Sequence, residues 1–120
     1  MRMVTEHFQA QSEHYYENAL KFIRQGETQK AAELLWGSIA EALKAVAASR
    51  GLRLRNHREI WEYARELARE LSDESIFDGF REAYSLHTDF YEAELTVDDV
   101  KVAWERRIRP TLQRLARIAV

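Results

Sequence analysis

The chain has 120 residues, 46% of them hydrophobic, and a formal net charge of −2, so residues 1–120 are expected to form a single domain with one core. It contains no cysteine, which excludes disulfides, zinc–thiolate sites, iron–sulfur clusters and thiol nucleophiles. No run of eighteen apolar residues occurs and the N-terminus is too polar for a signal peptide, so we expect a cytoplasmic protein without membrane association.

The first half of the chain has the pattern of a helical hairpin. Apolar residues at helical spacing predict a first helix that is capped by Thr5 and ends at Gly26. A second helix is predicted over residues 28–50, where Gly51 ends it. Because the connection between them is short, the two helices are expected to pack antiparallel.

Three further helices are predicted in the second half. Asn56 and Glu59 have the spacing of a capping box that opens the third helix. Ser72 is expected to cap a fourth helix that runs to about residue 94.

The fifth helix opens at a second capping box, formed by Thr96 and Asp99. Its apolar period is the same before and after Pro110, which indicates one kinked helix rather than two. With few glycines, one proline and no strand pattern, the sequence predicts an all-α fold, an up-down bundle of five helices.

Arginines are concentrated in two acid-free segments. The connection LRLRNHR contributes Arg53, Arg55 and Arg58 beside a helix N-terminus, where guanidinium groups and free backbone N–H groups favour a phosphate or nucleic acid. In the alternative interpretation, Leu52 and Leu54 turn inward and the arginines are only solvated.

The second segment, residues 106–120, has five arginines and no acid. Residues 59–105 hold fourteen acidic residues and four basic ones. Because cations near a helix C-terminus complement its dipole and acidic side chains are available to pair with them, these arginines are expected to be structural.

An aromatic stripe follows one side of the fourth helix. At 100° per residue, its members are Phe77, Phe80, Tyr84, His87 and Tyr91, with Phe90 on its margin. This stripe is wider than one small core requires. It predicts a homodimer whose interface contains Phe80, Tyr84, Phe90 and Tyr91.

Arg81 and His87 are the candidate catalytic pair of the sequence. A histidine transfers protons near neutral pH and an arginine stabilises phosphate charge, so together they suffice for metal-free cleavage of RNA through its own 2′-hydroxyl. Six residues apart, they differ by about 120° in azimuth and about 9 Å along the axis, so they need a cleft to meet. The alternative is a buried, hydrogen-bonded His87, with Arg81 paired to Glu82 or Asp78.

No cofactor or metal is expected. His7 and His14 share one side of the first helix, but helical metal ligands are more often three or four residues apart. The sequence also lacks the glycine-rich and nucleophile-elbow motifs of nucleotide hydrolysis, dinucleotide binding and serine hydrolysis.

The segment AYSLHTDFYEAELTVDDV, residues 83–100, resembles the signature of the archaeal PaREP family of small helical proteins. The hairpin ENALKFIRQGETQKAAELLWGSIAEALKAVA matches the layout of that family as well. The PaREP family is in turn similar to the HEPN superfamily, whose members are helical bundles and commonly homodimers. Many of these are RNases, or toxins encoded beside a minimal nucleotidyltransferase.

The resemblance implies roles for specific residues. HEPN nucleases carry an arginine followed within two helical turns by a histidine, which Arg81 and His87 match. It assigns proton transfer to His87 and phosphate binding to Arg81, at the cleft of a dimer. Two functions remain open: a HEPN-like homodimer that binds or cleaves RNA or a nucleotide, and a non-catalytic interaction module whose operon-encoded partner, such as a nucleotidyltransferase, is the enzyme.

Overall fold

A computed structural model describes residues 2–88 and 94–119, and these residues form five helices without a strand. The first four are α1 (Arg2–Arg24), α2 (Thr28–Ser49), α3 (His57–Glu70) and α4 (Glu74–Thr88). The fifth, α5, covers 97–118 and is built from Val97–Ala103, a π-helical turn at Trp104–Ile108, and Arg109–Ile118. The predicted all-α bundle is confirmed. Within the described ranges, no helix is long and apolar enough to cross a membrane.

Glycines end the first two helices as predicted. Gly26 and Gly51 both have a φ of 76°, the left-handed conformation that glycine adopts without steric cost. The predicted start of α1 is wrong, because α1 is already helical at Arg2 and Thr5 is a buried residue inside it.

Of the two predicted capping boxes, the one at Thr96 forms completely and the one at Asn56 forms in half. The Thr96 hydroxyl accepts from the Asp99 N–H at 3.2 Å, and Asp99 Oδ2 accepts from the Thr96 N–H at 2.8 Å. Asn56 Oδ1 accepts from the Glu59 N–H at 2.9 Å. The Glu59 carboxylate reaches one residue further back, to the N–H of Arg55 at 2.7 Å, and so holds the basic connection against α3.

The predicted cap of α4 is off by one residue. Ser72 has a φ of 51° and lies in the turn that follows α3, whereas Asp73 Oδ1 accepts from the Ser75 N–H at 3.1 Å. The Ser75 hydroxyl also donates to this oxygen, and hydrogen bonding to Ser75 holds the pKa of Asp73 below its ordinary value. The capping role therefore belongs to Asp73.

Helix α2 is the centre of the bundle. More than half of its residues are buried, including Leu35, Ile39 and Leu43, each at 0% exposure. Helix α1 packs along one side of α2, and α3, α4 and α5 cover the others. Ser12 and Ser38 are buried where α1 crosses α2, so their hydroxyls need partners within the protein. Each hydroxyl donates to the carbonyl oxygen of the other residue, at 2.8 and 2.9 Å.

Helices α4 and α5 cross closely at Gly79. A Cβ at this position would lie 1.8 Å from Thr111 Oγ1 and 3.0 Å from the carbonyl oxygen of Arg107. The π-helical turn at Trp104–Ile108 stands just before Pro110, which has no N–H to continue an α-helical ladder. The predicted continuity of α5 through Pro110 is confirmed. The π-helical turn changes the hydrogen-bond pattern just before the position where proline has no N–H to donate.

Candidate functional site

His87 is held in a defined orientation near the end of α4. Its Nδ1 lies 2.9 and 3.1 Å from the two carboxylate oxygens of Glu33, and its ring stacks on Trp36 with centroids 5.5 Å apart and planes at 18°. Because an ionised carboxylate only accepts, Nδ1 carries the proton of this bond. Nε2 is the ring nitrogen that Glu33 does not bind.

Helix α2 supplies both partners of His87. Glu33 and Trp36 are three residues apart, which places them on the same side of a helix. The Trp36 indole is buried at 6% exposure, whereas the His87 side chain keeps 30% of its surface exposed. The imidazole is therefore held by the indole on one ring face and by the carboxylate at Nδ1, and part of the ring is still exposed to solvent.

A second imidazole lies at the same indole. His57, the first residue of α3, makes an edge contact with Trp36 at 5.5 Å, and its ring centroid is 6.3 Å from that of His87. His57 is exposed. We call Glu33, Trp36, His57 and His87 the histidine cluster. Two imidazoles at this separation are suited to donate and accept protons on opposite sides of one bound group.

The basic connection leads directly into the histidine cluster. Arg53 and Arg55 are exposed and, among the described residues, their side chains make no ion pair, whereas Arg58 pairs with Glu62 at 3.1 Å on the surface. Leu54 packs against the core, but Leu52 remains 51% exposed, so the inward-turning alternative describes only one of the two leucines.

Arg81 points away from His87. Its guanidinium carbon lies 5.9 Å from the centre of the Phe77 ring, toward the start of α4, in a shallow depression that it shares with Asp78, Glu82 and Arg107. Within the described ranges, no contact joins Arg81 to His87, and Arg81 forms no ion pair with either acidic neighbour. The catalytic pairing of Arg81 and His87 stays a prediction.

The residues predicted for the dimer interface differ in burial. Phe80 is 1% exposed within one chain and packs on Trp36 at 5.5 Å, so its ring belongs to the core of the protomer and offers no surface to a second copy. Tyr84 is half-buried, 5.1 Å from Trp61. Phe90 and Tyr91 lie outside the described residues, as do residues 89–93 of the predicted extension of α4. The predicted end at Glu94 is wrong, because Glu94 is a turn residue with a φ of 50°.

The arginines of α5 partly follow the structural interpretation. Arg114 pairs with Asp73 at 3.0 Å, and Arg107 lies 3.6 Å from Asp78. These two arginines link α5 to the start of α4. Within the described parts of the chain, no group of three or more His, Asp or Glu side chains is arranged to hold a metal ion.

Sequence reasoning did not identify Glu33, Trp36 or His57 as site residues. Glu33 is one of several glutamates on exposed helix positions, and Trp36 has the spacing of an ordinary core residue. Their meeting with His87 depends on the register between α2 and α4, residues 54 positions apart in the chain. No local pattern carries that information.

The family model of the archaeal PaREP1/PaREP8 family matches residues 8–109. The chain belongs to this family. The match includes every member of the histidine cluster and the whole of α2, α3 and α4. The PaREP resemblance of the sequence is thereby confirmed.

A solved structure shares the fold of this PaREP1/PaREP8 chain. It is the crystal structure of a protein from Sulfolobus solfataricus, 22% identical, which covers 92% of this chain and 97% of its own with a TM-score of 0.78. At that identity the likeness concerns the fold alone. No curated protein matches the chain. Kinship with the HEPN superfamily stays a prediction.

Proposed function

We propose that this PaREP1/PaREP8 chain is a HEPN-like protein that binds RNA or a nucleotide through its phosphates and cleaves RNA without a metal ion. The observation that carries the proposal is the geometry of His87, whose Nδ1 is held by Glu33 at 2.9 Å while its ring is partly exposed. A carboxylate that fixes the tautomer and orientation of a solvent-accessible imidazole is the arrangement that general acid–base catalysis requires.

The chemistry needs only these side chains and the substrate. In the first step, Nε2 of His87 takes the proton of a ribose 2′-hydroxyl while that oxygen attacks the adjacent phosphorus. The bond from phosphorus to the 5′-oxygen breaks, and that oxygen receives a proton from the second imidazole, His57, whose ring centroid is 6.3 Å away. The products are a 2′,3′-cyclic phosphate and a 5′-hydroxyl, with no net consumption of protons.

Phosphate binding falls to the arginines around the cluster. Arg53, Arg55 and Arg58 lie within four residues of His57 and are exposed, so the chain connectivity keeps them near the imidazoles. The α3 N-terminus adds a partial positive charge at the same place. Arg81 is assigned to a phosphate further along α4, because its guanidinium lies at Phe77 and not at His87.

The carboxylate of Glu33 gives the sharpest test of this geometry. In Glu33→Gln, an amide that accepts or donates replaces a carboxylate that only accepts, so His87 loses its charged partner and its fixed tautomer. We expect kcat for RNA cleavage to fall about 10- to 100-fold, the equivalent of one charge-assisted hydrogen bond of about 1.5–3 kcal/mol, with KM nearly unchanged.

The matched control is Glu17→Gln, which removes an exposed carboxylate from α1. It should retain the kcat of the wild type. Equal rates for Glu33→Gln and Glu17→Gln would show that the Glu33–His87 contact has no part in catalysis.

A homodimer is part of the proposal. Tyr84, which the protomer leaves half-buried, is surface suited to a second copy of the chain, and the interface predicted from the sequence continues to Phe90 and Tyr91. The dimer interface would then lie beside His87 and form a cleft that contains the histidine clusters of both copies.

The dimer is tested by its mass. Light scattering at micromolar concentration should give twice the 14.1 kDa of one chain. Tyr91→Asp places a charge in the predicted dimer interface, so the dimer should dissociate and the measured mass should fall to that of one chain. A wild-type mass near that of a single chain would contradict the dimer without bearing on catalysis.

A second candidate function is supported by the position of Arg81. The Arg81 guanidinium packs against Phe77, and no described contact joins it to His87, so the two residues do not form a catalytic pair within one chain. This arrangement also suits a non-catalytic module that binds an operon-encoded partner such as a nucleotidyltransferase. This candidate predicts a stable complex of the two co-expressed proteins in gel filtration, with no RNA cleavage by the chain alone. Cleavage that is lost in Glu33→Gln would remove it.

A further inference from the structure

Two arginines from neighbouring helices share one aromatic ring on the surface between α3 and α4. The guanidinium carbon of Arg65 lies 5.4 Å from the centre of the Phe77 ring, and that of Arg81 lies 5.9 Å from the same centre. Both arginines are exposed, and Phe77 is half-buried with an edge contact to Trp61 at 5.6 Å. We call Trp61, Arg65, Phe77 and Arg81 the paired-arginine surface.

The carboxylates that stand three residues before each arginine are engaged elsewhere. Glu62 accepts from Arg58 at 3.1 Å, and Asp78 lies 3.6 Å from Arg107. Glu82 lines the same depression as the second arginine of the pair without forming an ion pair with it. Within the described part of the chain, the two cations of the paired-arginine surface thus have no acidic partner, which leaves both guanidinium groups able to bind an anion beside the Phe77 ring.

The distance between the paired-arginine surface and the histidine cluster is greater than the length of one nucleotide. Helices α3 and α4 run antiparallel, so His57 and His87 stand at one end of the pair and Arg65 and Phe77 lie further along it. From Phe77 to His87 the ten residues of α4 advance about 15 Å. A mononucleotide does not span that distance, whereas an oligonucleotide does.

We infer that the paired-arginine surface binds a backbone phosphate of single-stranded RNA, about 15 Å along α4 from the linkage that is cleaved at His87. This inference rests on the proposed function and specifies its substrate as an oligomer rather than a nucleotide. The half-buried rings of Trp61 and Phe77 and the planar guanidinium groups suit unpaired bases, which stack on such surfaces.

The charge of the surroundings selects one strand over two. Helices α3 and α4, which carry this surface, hold seven acidic residues against four arginines, so their net charge is negative. A duplex brings two phosphate strands and a dense negative field, which this acidic region repels. A single strand needs only the local pair of guanidinium groups.

The probe for this inference is a short, fluorescently labelled single strand of 2′-O-methyl RNA, which lacks the attacking hydroxyl and is not cleaved. Fluorescence anisotropy is measured with the wild type, with Arg65→Gln, and with Arg117→Gln as a control that removes an exposed arginine of α5. Arg65→Gln should raise Kd about tenfold and lower the slope of log Kd against log salt by about 0.7, the contribution of one phosphate contact. Arg117→Gln should leave both unchanged.

The inference would be overturned by the same Kd for Arg65→Gln and the wild type, by equal binding of duplex and single strand, or by competition from a nucleoside monophosphate at the affinity of the oligomer. A change in the light-scattering mass of Arg65→Gln, with RNA binding unaltered, would assign the surface to a second copy and overturn it as well. Cleavage that depends on Glu33 together with an unchanged Kd in Arg65→Gln defeats this inference alone. Binding that depends on Arg65 without cleavage of ordinary RNA supports it and defeats the catalytic proposal.

Discussion

Replacement of His87 by alanine should reduce the rate of RNA cleavage by about 10²- to 10⁴-fold, the usual contribution of a positioned general acid or base. The substitution removes the Nε2 atom that takes the proton of the 2′-hydroxyl, and it leaves Glu33 without its partner. Binding should change little, because the phosphate contacts come from arginines. The measurement is single-turnover cleavage of a labelled RNA, with Kd determined in parallel on the 2′-O-methyl strand.

The control for this substitution is His14→Ala. His14 is an exposed histidine of α1 whose Nε2 is 3.2 Å from Asn18 Nδ2, so its removal changes the histidine content but not the cluster. The rate of this variant should match that of the wild type. A His87→Ala protein that is folded and cleaves as fast as His14→Ala would contradict the role of His87.

Gly79→Ala should lower the free energy of unfolding by about 1–3 kcal/mol, the range for overpacking in a well-packed core. The added Cβ would lie 1.8 Å from Thr111 Oγ1 and 2.6 Å from Thr111 Cβ, and the nearby carbonyl of Arg107 is backbone that cannot rotate away. Helices α4 and α5 must therefore separate. Urea denaturation followed by circular dichroism measures the loss, and the m value should be unchanged.

Gly37→Ala is the matched control, since it adds the same methyl group to a helical glycine of α2. The added Cβ would lie 3.0 and 3.3 Å from ring atoms of Tyr15, a half-buried side chain that needs to shift by only a few tenths of an ångström. The loss should be clearly smaller than that for Gly79→Ala. If both variants lose equally, or neither loses any stability, the α4–α5 crossing is not as tight as the structure shows.

The sequence predicted helix ends correctly where an interaction between residues close in the chain determines them. The Thr96–Asp99 box, the Asn56 cap and the two left-handed glycines involve residues within four positions of one another, and all of them form. Two caps were misread because the residue type alone is ambiguous. A threonine such as Thr5 is equally acceptable inside a helix, and next to Ser72 the sequence offers Asp73 as a second capping side chain.

The candidate site was predictable only in part. The motif chemistry drew attention to His87 and Arg81. Because they stand six positions apart on one helix, their side chains point about 120° apart, and the structure places them in different surroundings. What orients His87 comes from α2, through Glu33 and Trp36. That contact depends on how two distant helices are registered in the bundle, which amphipathic periodicity does not specify.

The most direct test of the account is the chemistry of the RNA ends. A single-stranded RNA is incubated with the purified protein in the presence of a chelator, and the products are analysed by mass spectrometry beside those of His87→Ala. The account predicts 2′,3′-cyclic phosphate and 5′-hydroxyl ends from the wild type and their loss in the variant. Intact RNA after incubation with the wild type, or the same ends at the same rate from His87→Ala, would contradict it.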